Sequence, residues 1–258
     1  MLECVVNISE GRDRNVIDAI ARKAGADLLD VHTDADHHRS VLTLVGEAAP
    51  RAVAREAVAR LDLTSHRGAH PRIGVVDVVP FVPLDGSSTA DALAARDAFG
   101  AWAAAELGVP SFRYGPERTL PDVRRGAFTT LKPDDGPAEP HPTAGAIAVG
   151  TRPVLVAYNV WLAEPDLARA KQLAASIRSS SVRALGLRVG DEVQVSMNLI
   201  DPVVVGPGAV VDAIAARAAV RRCELVGLVP RQVLEAEDAA RWDELDLGPD
   251  RTIEARLP

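Results

Sequence analysis

A chain of 258 residues, 47% of them hydrophobic, is long enough to bury one large core or two smaller ones. Its 36 acidic residues outnumber 29 basic ones for a net charge of −7, which argues against non-specific nucleic-acid binding and leaves no polybasic patch for a membrane surface. No apolar run has the length of a membrane span, Met1-Leu-Glu-Cys4 lacks the basic start and apolar stretch of a signal peptide, and Cys4 and Cys223 are the only cysteines, so a cytoplasmic protein with reduced thiols is expected.

In chain order, the patterning predicts a strand over 2–6, a helix over 15–24 capped by Asp13, strands over 27–31 and 41–45, a helix over 51–61 and a strand over 75–82. The order is βαββαβ. A further helix, opened by Ser88 with Asp91 three residues on, runs to about 107 and feeds a strand over 111–114. Residues 115–145 are rich in Pro, Gly and charge and read as a long loop or linker. The second half repeats the architecture without repeating the sequence: a strand over 154–160, a helix over 166–179, strands over 182–188 and 193–198 split by Gly190-Asp191, a helix over 209–219, a strand over 223–228 and a terminal helix over 231–242. Right-handed crossovers turn each βαββαβ run into a ferredoxin-like sandwich, so the expected fold class is α/β (α+β), with two such subdomains, 1–150 and 151–258, facing each other across a cleft.

The stretch His66-Arg-Gly-Ala-His-Pro-Arg72 packs two imidazoles and two guanidiniums ahead of an apolar strand. Histidine titrates near neutrality and can accept and return a proton in one turnover, and Pro71 restricts the backbone of His70 before it. Asn7-Ile-Ser-Glu-Gly-Arg12 sits between a strand and a helix, either as an anion site at a helix N-terminus or as a plain polar turn. The cluster His32-Thr-Asp-Ala-Asp-His-His-Arg39 offers imidazoles and carboxylates to a metal, but its spacing matches no known metal motif. Gly206-Pro-Gly208 lacks the further glycine or lysine of a nucleotide loop and reads as a helix-entry turn, and Ser196 and Asn198 share one face of a strand.

Glu3-Cys-Val-Val-Asn-Ile-Ser-Glu-Gly-Arg12, Leu28-Leu-Asp-Val31, His38-Arg-Ser-Val-Leu-Thr-Leu-Val-Gly46, the stretch 66–74 and Asp77-Val-Val-Pro-Phe-Val-Pro83 together resemble the N-terminal subdomain of the glutamate formiminotransferase family. Gly145-Ala146, Tyr158-Asn159, Val193-Gln-Val-Ser-Met-Asn-Leu199 and Leu225-Val-Gly-Leu-Val-Pro230 resemble its C-terminal subdomain. The resemblance implies two α/β subdomains about a folate channel, and transfer of a formimino group from N-formimino-L-glutamate to N5 of tetrahydrofolate during histidine breakdown. Tetrahydrofolate is then a co-substrate and no metal is needed. By position, the catalytic histidine is His70, acting as general base and then general acid. Arg39 and Arg72, with Asn7, are assigned to carboxylates, and Glu10 and Asp77 to the amidinium of the substrate. The family's folate segment aligns onto Gly136-Pro-Ala-Glu-Pro-His-Pro-Thr-Ala-Gly145, giving Gly136, Pro137, His141, Thr143, Ala144 and Gly145 as folate-binding candidates. The chain departs from the family pattern at His32, where an acidic residue is usual, at Ala144, where a tryptophan is common, and in the short connection over 179–182. A homodimer without its own cyclodeaminase domain, served by a separate cyclodeaminase, is expected. Two other classes keep part of this evidence: a non-catalytic small-molecule sensor on the same fold, and a metal-dependent hydrolase using the 32–38 cluster.

Overall fold

The computed structural model of the chain describes residues 1–68 and 71–258, which divide into two compact units, Met1–Pro153 together with Pro258, and Val154–Leu257. Among the described residues no helix is long and apolar enough to cross a membrane. The first unit begins with β1 (Leu2–Ile8), α1 (Arg14–Ala21), β2 (Leu28–Asp34), β3 (Arg39–Val45), α2 (Ala48–Arg60) and β4 (Val76–Pro83). These strands lie in the order β2-β3-β1-β4 with every neighbouring pair antiparallel, the ferredoxin-like arrangement that the element order predicts. Asp13 caps α1 as expected, its Oδ1 accepting from the N–H groups of Asn15 and Val16 at 3.0 and 3.2 Å. The helix is shorter than expected, tightening after Ala21 into 3₁₀ turns over Arg22–Asp27.

Beyond β4 the unit grows. A capping box between Ser88 and Asp91 opens α3 (Thr89–Leu107), which leads to β5 (Ser111–Tyr114). Within the stretch 115–145 that reads as a loop, the structure has α4 (Leu120–Gly126), opened by a second capping box between Thr119 and Asp122, and directly after that stretch comes β6 (Ile147–Thr151), a strand the patterning does not predict. Strand β6 lies between β4 and β5 and is parallel to both, completing a six-stranded sheet. Alternation along β6 divides its side chains between two cores. Ile147 and Val149 join the main core, with Cys4, Val6, Val53 and Phe99 from β1, α2 and α3; Ala146 and Ala148 join Phe112, Tyr114 and Val123 of α4 in a second cluster. Helix α4 is thereby fixed to the sheet, and its Arg124 is placed beside the start of β4.

The second unit is a plain four-stranded version of the same topology. Strands β7 (Val156–Leu162), β8 (Val182–Val189), β9 (Glu192–Leu199) and β10 (Val220–Val226) lie in the order β10-β7-β9-β8, all antiparallel, with α5 (Leu167–Ile177) and α6 (Pro207–Ala215) between them in sequence. Its core joins Val156, Tyr158 and Val160 to Leu173, Val195 and Ile214. The single terminal helix expected over 231–242 is instead α7 (Arg231–Glu235) and a 3₁₀ turn at Ala239–Arg241. The break comes at Asp238, whose extended backbone and carboxylate, accepting from Ala240 N–H at 3.0 Å, start a new turn. A last short helix, α8 (Ile253–Arg256), follows.

Candidate active site

Three loops of the first unit bring most of the expected residues together. The turn after β1 is organised by Glu10, whose Oε1 accepts from the backbone N–H groups of Gly11, Arg12 and Asp13 at 2.9, 2.7 and 3.0 Å. Ser40 of β3 donates to the Glu10 carbonyl at 2.6 Å, locking the turn to the β2–β3 hairpin. Gly11 lies so close to that hairpin that a Cβ there would stand 2.1 Å from the Asp34 carbonyl oxygen. The hairpin is itself closed by Asp34, whose carboxylate accepts from the N–H groups of Asp36 and His37 and meets His37 Nδ1 at 2.7 Å. Burial works against this charge, but the bonds from the His37 ring and the loop backbone outweigh it and hold the Asp34 carboxyl down at about 2.

Arg39 and Asn7 meet as the sequence suggests: Arg39 Nε donates to Asn7 Oδ1 at 3.1 Å. Burial lowers the Arg39 pKa to about 10; nearby Asp77 opposes the fall, whereas Arg124 and Arg72 deepen it. Arg72 donates to the His37 carbonyl at 3.3 Å and lies against the His66 ring, which is stacked on His38. Asp77, 2% exposed, accepts from Ile73 N–H at 2.8 Å and forms a two-toothed ion pair with Arg124 at 2.6 and 3.3 Å. Arg124 also donates to the Pro71 carbonyl at 2.9 Å. The chain directly after His70 is therefore anchored through α4, while His70 itself lies outside the described residues.

The expected folate segment divides into two parts. Residues 141–145 form a small ring closed by reciprocal backbone bonds between His141 and Gly145 at 2.8 and 2.9 Å, with His141 Nδ1 accepting from the N–H groups of Thr143 and Ala144. The ring is pinned from outside as well, Leu63 N–H donating to Thr143 and Val75 N–H to Ala144. Gly145 has φ +71°, and a Cβ there would stand 2.3 Å from the Ile73 carbonyl oxygen. Beside this ring is a cavity of about 350 Å³ lined by Ile73, Arg124, Phe128, Pro140, His141 and Gly145 among others. Gly136 instead packs against Ala104 and Pro110, and neither it nor Pro137 lines the cavity. The Ala144 side chain is 1% exposed and belongs to the main core, so it presents no stacking surface to a ligand.

Sequence reasoning missed Arg124. The signal was present, since Thr119-Leu-Pro-Asp122 is a capping box with proline in the first turn, but the surrounding charge read as a loop. Of the remaining candidates, His32 lies on β2 opposite Val41. Among the described residues no group of three or more His, Cys, Asp or Glu side chains is placed to hold a metal ion. Gly206 and Pro207 open α6 as a helix-entry turn, and the Gly208 N–H, at 2.9 Å from Glu237 Oε1, is satisfied by the protein's own carboxylate.

Residues 1–152 match the family model described as formiminotransferase domain, N-terminal subdomain. The chain is 37% identical over 233 residues to the glutamate formimidoyltransferase of Streptococcus pyogenes serotype M1, covering 78% of each protein. It is 34% identical to the glutamate formimidoyltransferase of Thermoplasma acidophilum over 91% of this chain and 89% of that one. It is also 34% identical to the formimidoyltransferase-cyclodeaminase of Sus scrofa, again over 91% of this chain but only 51% of that longer relative.

Proposed function

We propose, for a chain that belongs to the formiminotransferase family, that it moves the formimino group of N-formimino-L-glutamate to N5 of tetrahydrofolate, with His70 carrying the proton. The observation that supports this reading best is the gathering of Arg39, Arg72 and Arg124, whose mutual repulsion, added to burial, already depresses the Arg39 pKa. An anionic ligand relieves that repulsion. Guanidiniums match carboxylates in bidentate geometry, and both substrates carry carboxylates.

In this reading Arg39, held by Asn7, and Arg72 grip the glutamate carboxylates, and Glu10 faces the amidinium with Oε2, since Oε1 serves the turn. Asp77 is reassigned, because Arg124 and Ile73 N–H occupy its carboxylate: it holds Arg124 and the 71–73 backbone in place. N5 of tetrahydrofolate attacks the amidine carbon and loses its proton to His70; the tetrahedral intermediate then expels the glutamate nitrogen, which takes that proton back. His141 and Gly145 bound the folate site beside the cavity, with Thr143 and Ala144 serving through backbone. A single imidazole acting in both steps contributes about 10²–10⁴ in rate.

The test is turnover of formiminoglutamate with tetrahydrofolate, followed as formiminotetrahydrofolate. Formation that depends on both substrates is expected; formamidine serving equally well as donor would remove the arginines from substrate recognition, and no transfer from either would end the reading. His70→Ala should lower kcat by about 10²–10⁴ while leaving folinate affinity nearly intact, because a general base acts on the transition state.

A further inference from the structure

His38 and His66 stack with ring centroids 4.1 Å apart and planes inclined by 28°. Their hydrogen bonds decide where the protons sit. His66 Nε2 is 3.0 Å from the His38 carbonyl oxygen, which can only accept, so Nε2 carries the hydrogen and Nδ1 the lone pair. Arg72 Nη1 lies against the His66 ring, close to both of its nitrogens. His38 Nδ1 accepts from Gly11 N–H at 3.0 Å. His38 is therefore neutral, and a second proton on His66 would set an imidazolium directly against the Arg72 guanidinium.

We propose that neutral His66, braced by His38, is a positioning residue that aims Arg72 at the carboxylate of the donor substrate, and that protonation of the stacked pair in mild acid releases Arg72. The substrate's identity rests on the formimino-transfer reading; the stack does not. The charged groups that bear on the two rings come from three loops. Glu10, 3.3 Å from His38 Nδ1, would receive His38 once it is protonated, whereas Arg12 and Arg72 oppose any added charge. Asp34 is paired with His37 in the same hairpin, and Arg67 donates to the His66 carbonyl at 2.8 Å. Burial lowers both imidazole pKa values below their usual 6.5; for His66 the bond to the His38 backbone resists the fall and Arg72 adds to it. The pair thus stays neutral at pH 7 and gains its proton below the ordinary imidazole range, so the loss falls on the acid side.

Ring nitrogen NMR between pH 8 and 5 tests the stack directly. His66 should show the Nε2–H form and titrate below 6.5, and Arg72→Gln should raise its pKa by removing a like charge. An Nδ1–H form, a titration above 6.5, or no response to Arg72→Gln overturns the proposal. In kinetics, His66→Ala should raise the KM for formiminoglutamate about tenfold with kcat nearly unchanged, whereas His66→Asn, whose amide oxygen can accept from Arg72, should restore KM and abolish its rise in acid. Loss of kcat with KM unmoved overturns the positioning role, and if His66→Ala fails to fold, the pH profile of His66→Asn decides. Should the wild-type protein transfer nothing, the functional reading falls, and the NMR response to Arg72→Gln still decides whether His66 holds Arg72.

Discussion

Asp77 keeps a buried charge because Arg124 meets both of its oxygens and Ile73 N–H meets one of them. Removing one partner of such a pair leaves an uncompensated charge in a poor solvent for it, so Arg124→Ala should destabilise the first unit by about 3–5 kcal/mol. Urea denaturation measures this, and a loss under about 1 kcal/mol would mean that solvent reaches Asp77 readily. Asp34 makes a complementary case. Its folded pKa, about 2, lies below the ordinary carboxylate value near ~3.9, so its contribution to stability is complete above pH 4 and is lost as pH falls towards 2. Asp34→Asn should therefore flatten the acid side of the stability profile between pH 5 and 2; an unchanged slope would show that other carboxylates govern acid unfolding.

At the level of elements, alternation and caps were legible wherever one signal acted alone. Asp13 and Ser88 cap the helices expected of them, and the 111–114 strand has the predicted bounds. What escaped were elements whose local chemistry pointed elsewhere. Strand β6 is Ile-Ala-Val-Gly-Thr, only five residues long with Ala and Gly between its β-branched residues, and it is held by parallel neighbours on both sides that no local pattern announces. The site was legible in part for the same reason: Asn7 and Arg39 are revealed by adjacent antiparallel strands, whereas the Asp77–Arg124 pair joins residues 47 positions apart. The ring 141–145 falls in a stretch that its prolines and glycines mark as a loop, yet its backbone bonds to Leu63 and Val75 tie it to the core. Ala144→Trp consequently should not tighten folate binding. It should cost about 1–3 kcal/mol or more by overpacking, read as a lowered urea midpoint. Gly145→Ala should be destabilising too, through its positive φ and the nearby Ile73 carbonyl; a neutral effect on the same midpoint would show that the ring relaxes freely.

At the scale of the molecule, each unit has its own apolar core, one centred on residues such as Phe99 and Ile147 and the other on Tyr158 and Leu173. Leu173→Ala should open a cavity worth about 2–5 kcal/mol, with hydrogen exchange accelerating across Val154–Leu257 and little changed in β1, β3 and β4. Equal acceleration in both units would show that they unfold as one. The placement of β6 between β4 and β5 has a further consequence for the chain as it is synthesised. Strands β1 to β4 are complete by Pro83, but among the described residues β5 at Ser111–Tyr114 pairs with β6 and with no other strand, and β6 ends at Thr151. At ribosomal speeds of about 5–20 residues per second, the Phe112 and Tyr114 side chains wait seconds for the strand that covers them, beside a β4 edge still unpaired. The nascent first unit passes through an interval in which two sheet edges stand open, so its yield in cells should depend on chaperone supply at that stage more than on the final stability of the fold.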